Sequence, residues 1–193
     1  MKRHTFDKIV IFVGFGLAVF LLIAAGLLNW GSTFASGTVA SQLKAQQIAI
    51  PITNGDPKAD AATVAFFKEN GKSVMSTGKQ AQMYADHYIG FHLSAMPTYA
   101  AASGMARSAA GALAADPTNV DLQAAVTKAN ATVETVFRGE SLRGMLLNAY
   151  AFGTLGMIAG IAAKVTLGGA IIMFLFVIAG LRNIRRTPSD ATI

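Results

Sequence analysis

The chain contains no cysteine in its 193 residues. That excludes a disulfide framework, a thiolate metal site and a cysteine nucleophile together. Charge is also scarce: Asp, Glu, Lys and Arg make up 13% of the residues, where a soluble domain carries about 25%. Only three histidines, five prolines and one tryptophan are present. There is no Gly-x-Ser-x-Gly elbow and no glycine-rich phosphate loop, because the glycines of Val13-Gly14-Phe15-Gly16 lie inside an apolar run. No hairpin signal and no repeat period stands out. Any folded part must therefore be all-α and hold itself together by packing alone.

What the chain has in quantity is apolar length. Ile9–Leu28 is twenty residues without a charge, about 30 Å as a helix, which matches a bilayer's hydrocarbon core. The apolar region of a cleaved signal peptide is shorter, about 7–15 residues. This run also leaves through Asn29-Trp30, where tryptophan suits the membrane interface. An uncleaved anchor follows, with its N-terminus in the cytoplasm.

A second run, Phe137 to Arg186, opens as Phe-Arg-Gly-Glu-Ser-Leu-Arg-Gly, turns apolar at Met145 and ends in Arg182, Arg185 and Arg186. Gly144 to Leu181 is about 57 Å if helical, nearly twice a bilayer. Two spans would leave Lys164 in a very short inner turn and the arginines outside. One span from about Ala159 to Leu181 puts the arginines in the cytoplasm and Lys164 near the outer surface, where its stem can snorkel. The single span is the expected arrangement. Met145–Ile158 is then an apolar helix above the membrane, to be covered by this chain or by a partner.

Charge distribution agrees. Between Trp30 and Gly144 nine Lys/Arg face eight Asp/Glu, a net of +1. The tails hold Lys2, Arg3, Lys8, Arg182, Arg185 and Arg186 against Asp7 and Asp190, a net of +4, and Lys164 completes the formal +6. Basicity beside apolar runs is the positive-inside pattern, not a nucleic-acid footprint. The expected division is 1–30 for the cytoplasmic N-terminus and anchor, 31–157 for an extracytoplasmic helical domain, 158–182 for the second span and 183–193 for a cytoplasmic tail.

Within the middle region, Ser36–Ile48 reads as a short helix, ended by Ile50-Pro51 and Asn54-Gly55-Asp56-Pro57. Residues 60–70 form a helix with Gly71 as its stop. Ser76-Thr77-Gly78 opens another, from about Lys79 to Met96, and Thr98–Ala115 is a third. Asp116-Pro117 supplies a cap and a first helical residue. The helix it opens reaches Gly139, and Glu140-Ser141 starts the last one.

His87 and His92 with Asp86 invite a two-His-one-carboxylate metal reading. In α-helical geometry the two histidines lie about 140° apart around the axis and do not converge, since i,i+4 spacing would be needed. An aromatic face of Tyr84, Tyr88 and Phe91 with histidines at its edges accounts for them without a metal. Gly156-x-x-x-Gly160 and Ala163 make one side of the last helix small enough for close helix approach, as Gly14-x-x-x-Ala18 does in the first. Glu140 suits a helix N-terminus, and Arg138 and Arg143 are placed to pair with a neighbour's carboxylates or with lipid headgroups.

Two stretches carry a resemblance: Tyr84-Ala-Asp-His-Tyr-Ile-Gly-Phe-His-Leu and Val136-Phe-Arg-Gly-Glu-Ser-Leu-Arg-Gly-Met-Leu-Leu-Asn-Ala-Tyr-Ala-Phe. With an anchor leading to Asn-Trp-Gly, a helical insert and a C-terminal span, the chain resembles a family of small actinobacterial membrane proteins over most of its length apart from the loop near 50–75. Members often carry an aromatic ring-opening dioxygenase label, for which the ligands here do not converge. The resemblance implies instead an accessory subunit of the respiratory supercomplex joining a cytochrome bcc menaquinol oxidase to an aa3-type cytochrome c oxidase. It implies a non-catalytic, cofactor-free protein whose partners are lipid and haem-bearing subunits. The implied contact surface is Arg138, Glu140, Arg143, Tyr150, Phe152, Gly156 and Gly160. The competing expectation is an extracytoplasmic ligand or metal binder using His87 and His92.

Overall fold

The computed structural model describes residues 3–186, which are helical apart from turns, loops and one isolated bridge between Ala49 and Val74. The elements are α1 (Arg3–Ala45), α2 (Ala61–Asn70), α3 (Gly78–Met83), a π-helical stretch (Tyr84–Ile89), α4 (Gly90–Ser94), α5 (Tyr99–Ala115) and α6 (Val120–Arg186). Two of them, α1 and α6, are long and apolar enough to cross a membrane.

Several starts follow the sequence. Asp60 caps α2 by accepting the Thr63 N–H at 2.9 Å. Thr77 accepts the Gln80 N–H at 3.1 Å while Gln80 Oε1 accepts the Thr77 N–H at 3.1 Å, a reciprocal box at the start of α3. Thr98 accepts from Ala101 at the start of α5.

Three expected boundaries are absent or moved. No break separates the first apolar run from Ser36–Ile48, because α1 continues to Ala45. Nor does a helix end at Gly139 and restart at Glu140, since α6 is a single 67-residue helix. Among the described residues the prolines, at 51, 57, 97 and 117, stand outside every helix. A glycine costs a helix only about 1 kcal/mol, which packing overrides. Gly139 has a packing reason instead: a Cβ there would stand 2.8 Å from Leu93 Cδ2. The start of α6 also moves. Asn119 Oδ1 accepts the N–H groups of Asp121 and Leu122 at 3.1 and 3.2 Å. Asp116 caps nothing there; its carboxylate instead accepts from Thr118 and Asn119 in the preceding turn.

The chain forms two compact units. One comprises residues up to Gly37 and from Thr154 onward. In it α1 turns His4, Asp7, Ile11, Gly14, Ala18, Leu21, Ala25, Leu28, Ser32 and Ala35 inward. That alternation of three and four residues is the 3.5-residue period of a left-handed helix pair. The helices run antiparallel. A Cβ built at Gly14 meets Val177, one at Gly169 meets Leu21, one at Gly156 meets Ala35, and one at Gly180 meets Ile11. Stepping one residue against one along this register sets Arg182 beside Ile9 and Lys164 beside Leu27 and Leu28. The two uncharged runs therefore coincide in height. α6 passes Lys164 without a turn, so no inner hairpin exists there.

The other unit, Thr38–Gly153, has the hydrophobic core. Phe67, Met75, Ala81 and Ala85 are fully buried, with Val39, Leu43, Ile50, Ile89 and Leu146 around them. A strap of loop closes one side: Ile50 N–H donates to Ser73 O at 2.9 Å and Lys72 N–H to Ile50 O at 2.8 Å. Gly71 is required by this strap, because a Cβ would lie 2.9 Å from Ile52 Cα and 2.9 Å from Phe67 O. It is not the left-handed stop of α2; that conformation falls on Lys72, at φ 68°. Gly78 and Gly153 meet at a helix crossing, where a Cβ on either would stand 3.1–3.3 Å from the other helix's backbone.

Candidate functional site

The π-helical stretch Tyr84–Ile89 is where the local geometry departs from plain helix, as such turns do at many functional sites. Above it the Asn54-Gly55-Asp56-Pro57 loop folds back. Gly55 takes φ 82°, and the buried Asn54 accepts the Asp56 N–H at 3.3 Å through its Oδ1. Together they border an open recess of about 400 Å³ lined by Asn54, Asp56, Lys58, Asp60, Asp86, His87 and Phe91. Reading the sequence missed this recess, because the loop's turn residues give no register for which helix they fold against.

The recess is rich in acceptors. Thr63 donates its N–H and its hydroxyl to Asp60, both at 2.9 Å. Those two bonds hold the Asp60 carboxyl below the usual carboxylate range, with His87 adding to the effect. His87 Nδ1 lies 3.5 Å from the Thr63 hydroxyl, whose hydrogen is already directed to Asp60. His92 goes elsewhere: its Nδ1 is 2.7 Å from Tyr88 O and its ring lies tilted against that of Tyr88, with centroids 4.5 Å apart. The i,i+5 turn therefore does not join the two histidines. Among the described residues no group of three His, Asp or Glu is placed to hold a metal ion. Burial, then the neighbouring Tyr88, pushes the Tyr84 hydroxyl above its ordinary pKa.

The residues expected to form a contact surface have different surroundings. Arg143 reaches from α6 to Asp86 at 3.3 Å, with Glu140 at 3.7 Å. Its Nε is buried without a hydrogen-bond partner. Arg143 thus ties α6 to the π-helical stretch, though a half-exposed pair of this kind contributes only about 0–1 kcal/mol. Arg138 pairs with Glu134 at 2.5 Å on the open surface. Tyr150 is half-buried and Phe152 is 54% exposed. Gly156 and Gly160 face the chain's own α1: a Cβ on Gly156 would be 3.1 Å from Ala35 Cβ, and one on Gly160 would be 2.7 Å from Ser32 Oγ.

Exposed apolar side chains continue along α6 through Met145, Phe152, Leu155, Ile158, Ile161 and on to Leu181. On α1 they run from Phe6 to Phe34, where the Trp30 and Phe34 rings stack at 5.7 Å. No family model, no curated protein and no solved structure matches this chain.

Proposed function

We propose that the chain is a non-catalytic accessory subunit of a respiratory cytochrome bcc–aa3 supercomplex. It is anchored by α1 and the C-terminal part of α6, with both tails in the cytoplasm and the Thr38–Gly153 unit on the extracytoplasmic side. The two stretches resembling that family give the reading its identity. The observation that carries it physically is surplus apolar length. Met145 to Leu181 is about 54 Å of helix with exposed large apolar side chains along it, against a hydrocarbon core of about 30 Å. Lipid covers one part, and a larger protein surface covers Met145, Phe152 and Leu155. Arg138 and Glu140 border that surface and supply its polar rim.

A tag fused after Ile193 tests the reading. Gentle solubilisation and affinity capture should recover haem-bearing partners with reduced-minus-oxidised bands of b-, c- and a-type cytochromes. Capture of the chain free of haem proteins would end the proposal. The orientation has its own test. Protease added outside intact spheroplasts should cut the loop at 50–58 and spare a tag on the C-terminal tail. Loss of that tag would place the carboxyl end outside.

A further inference from the structure

The α1–α6 pair is not smooth. A groove of about 360 Å³ runs along it, walled by Leu22 and Leu167 and floored by Ala25, Gly26 and Ala163. Asn29 and Lys164 also line it, and the antiparallel register brings them to within about two residues of each other in height. We propose that this groove holds one anionic phospholipid of the outer leaflet, its acyl chain along the small-residue floor and its phosphate on Lys164 and Asn29. The inference rests on the membrane insertion proposed above.

Three observations select this occupant. The lining is mostly apolar, with Asn29 and Lys164 as its polar side chains, a combination that suits the acyl chain and headgroup of a lipid. The register places Lys164 beside Leu27 and Leu28, at the outer limit of the uncharged run, where phosphates lie when the basic tails are inside. Lys164 also lacks a counter-ion: among the described residues it makes no hydrogen bond and no ion pair. A snorkelling cation at the edge of hydrocarbon is stabilised by a neutralising group, and an ammonium is a compact charge suited to a phosphate. A zwitterionic lipid brings its own cation and neutralises it less well. Gly26 keeps the floor open, since nothing lies within 4 Å of a Cβ built there. A side chain added at Gly26 therefore fills the groove without displacing the helices.

Membranes containing the full chain are first washed with alkaline carbonate; retention in the pellet is expected, and release would remove the insertion reading and this one with it. The detergent-purified chain is then titrated with phosphatidylglycerol or phosphatidylcholine and read by native mass spectrometry. One phosphatidylglycerol should be retained over phosphatidylcholine by about fivefold or more, the effect of one cation near an anionic surface. Lys164→Gln should abolish the preference, and Lys164→Arg should keep it. Gly26→Leu should reduce retention of both lipids with helical content unchanged. Equal retention of the two lipids by the native chain, or an undiminished preference in Lys164→Gln, overturns the proposal while leaving insertion intact. So does a Gly26→Leu chain that keeps its lipid but loses a copurifying protein, which would make the groove a protein contact.

Discussion

Phe67→Ala should unfold the Thr38–Gly153 unit well before the apolar helix pair is disturbed. Phe67 is fully buried, and the cluster around it draws on Val39 and Leu43 from α1, Ile50 and Met75 from the strap, Ile89 from the π-helical stretch and Leu146 from α6. One ring thus contacts a core assembled from segments distant in sequence, and Phe66 packs edge-on against it at 5.4 Å. Removing a buried Phe side chain costs about 3–5 kcal/mol, because the cavity closes only partly. A domain's whole stability is about 5–15 kcal/mol, and with no cysteine there is no cross-link to offset the loss.

The two units can be followed separately. All four tyrosines, at 84, 88, 99 and 150, lie in the Thr38–Gly153 unit, and the single tryptophan, Trp30, lies in the other. The tyrosine near-ultraviolet circular dichroism of the detergent-solubilised chain should melt about 12 °C or more lower in Phe67→Ala, at about 4 °C per kcal/mol. The tryptophan signal should hold. Val64→Ala, at a position 52% exposed on the same helix, is the control and should shift by less than about 4 °C. An equally small shift in Phe67→Ala would mean that the ring is not at the centre of this core.

Local rules reached some elements and failed at others for identifiable reasons. The helix starts near residues 60, 77 and 98 were legible because the signals that open a helix act over a few positions. The caps found there at Asp60, Thr77 and Thr98 are bonds of that short range. The length of the two apolar runs was legible because hydrophobic length is additive along the chain, whereas their coincidence in height depends on the antiparallel register, which is tertiary. Gly139 was misread as a stop, since a glycine kept for close approach to Leu93 carries the same letter as a glycine that ends a helix. Asp116-Pro117 was misread as a helix start because Asn119, two residues later, offers a cap that satisfies two N–H groups. The π-helical stretch left no sequence signal: its residues are ordinary helix formers, and the wider turn accompanies burial of Ala85 and Ile89. The recess over Asp60 and His87 depends on that turn and on the return of the 54–57 loop, both tertiary. Arg143 was read as a possible neighbour contact, and its Asp86 partner lies 57 positions away.

Ser32→Cys with Gly160→Cys should close a disulfide between α1 and α6 in nearly all molecules. A Cβ built at Gly160 lies 3.6 Å from Ser32 Cβ, inside the roughly 3.5–4.5 Å that a disulfide spans. The native chain has no cysteine, so no competing thiol exists and the result reads directly. The expected observation, in membranes under mild oxidation, is that protease cleavage near residues 50–58 leaves the two fragments joined on a non-reducing gel and separates them after reduction. Thr33→Cys with Ile161→Cys moves each thiol one position around its helix, onto exposed faces, and should give little product. Adding Gly156→Leu to the first pair should also lower its yield. A side chain there begins 3.1 Å from Ala35 Cβ and 3.4 Å from the Ser32 carbonyl oxygen, and a backbone contact yields only by moving the helices apart. Cross-linking by both cysteine pairs alike would show helices that rotate freely against each other. In that case no fixed register would hold Lys164 at the height of Leu28, and the lipid groove would lose its geometric basis. Cross-linking by the first pair alone would fix the antiparallel register, and with it the two tails on one side of the helix pair.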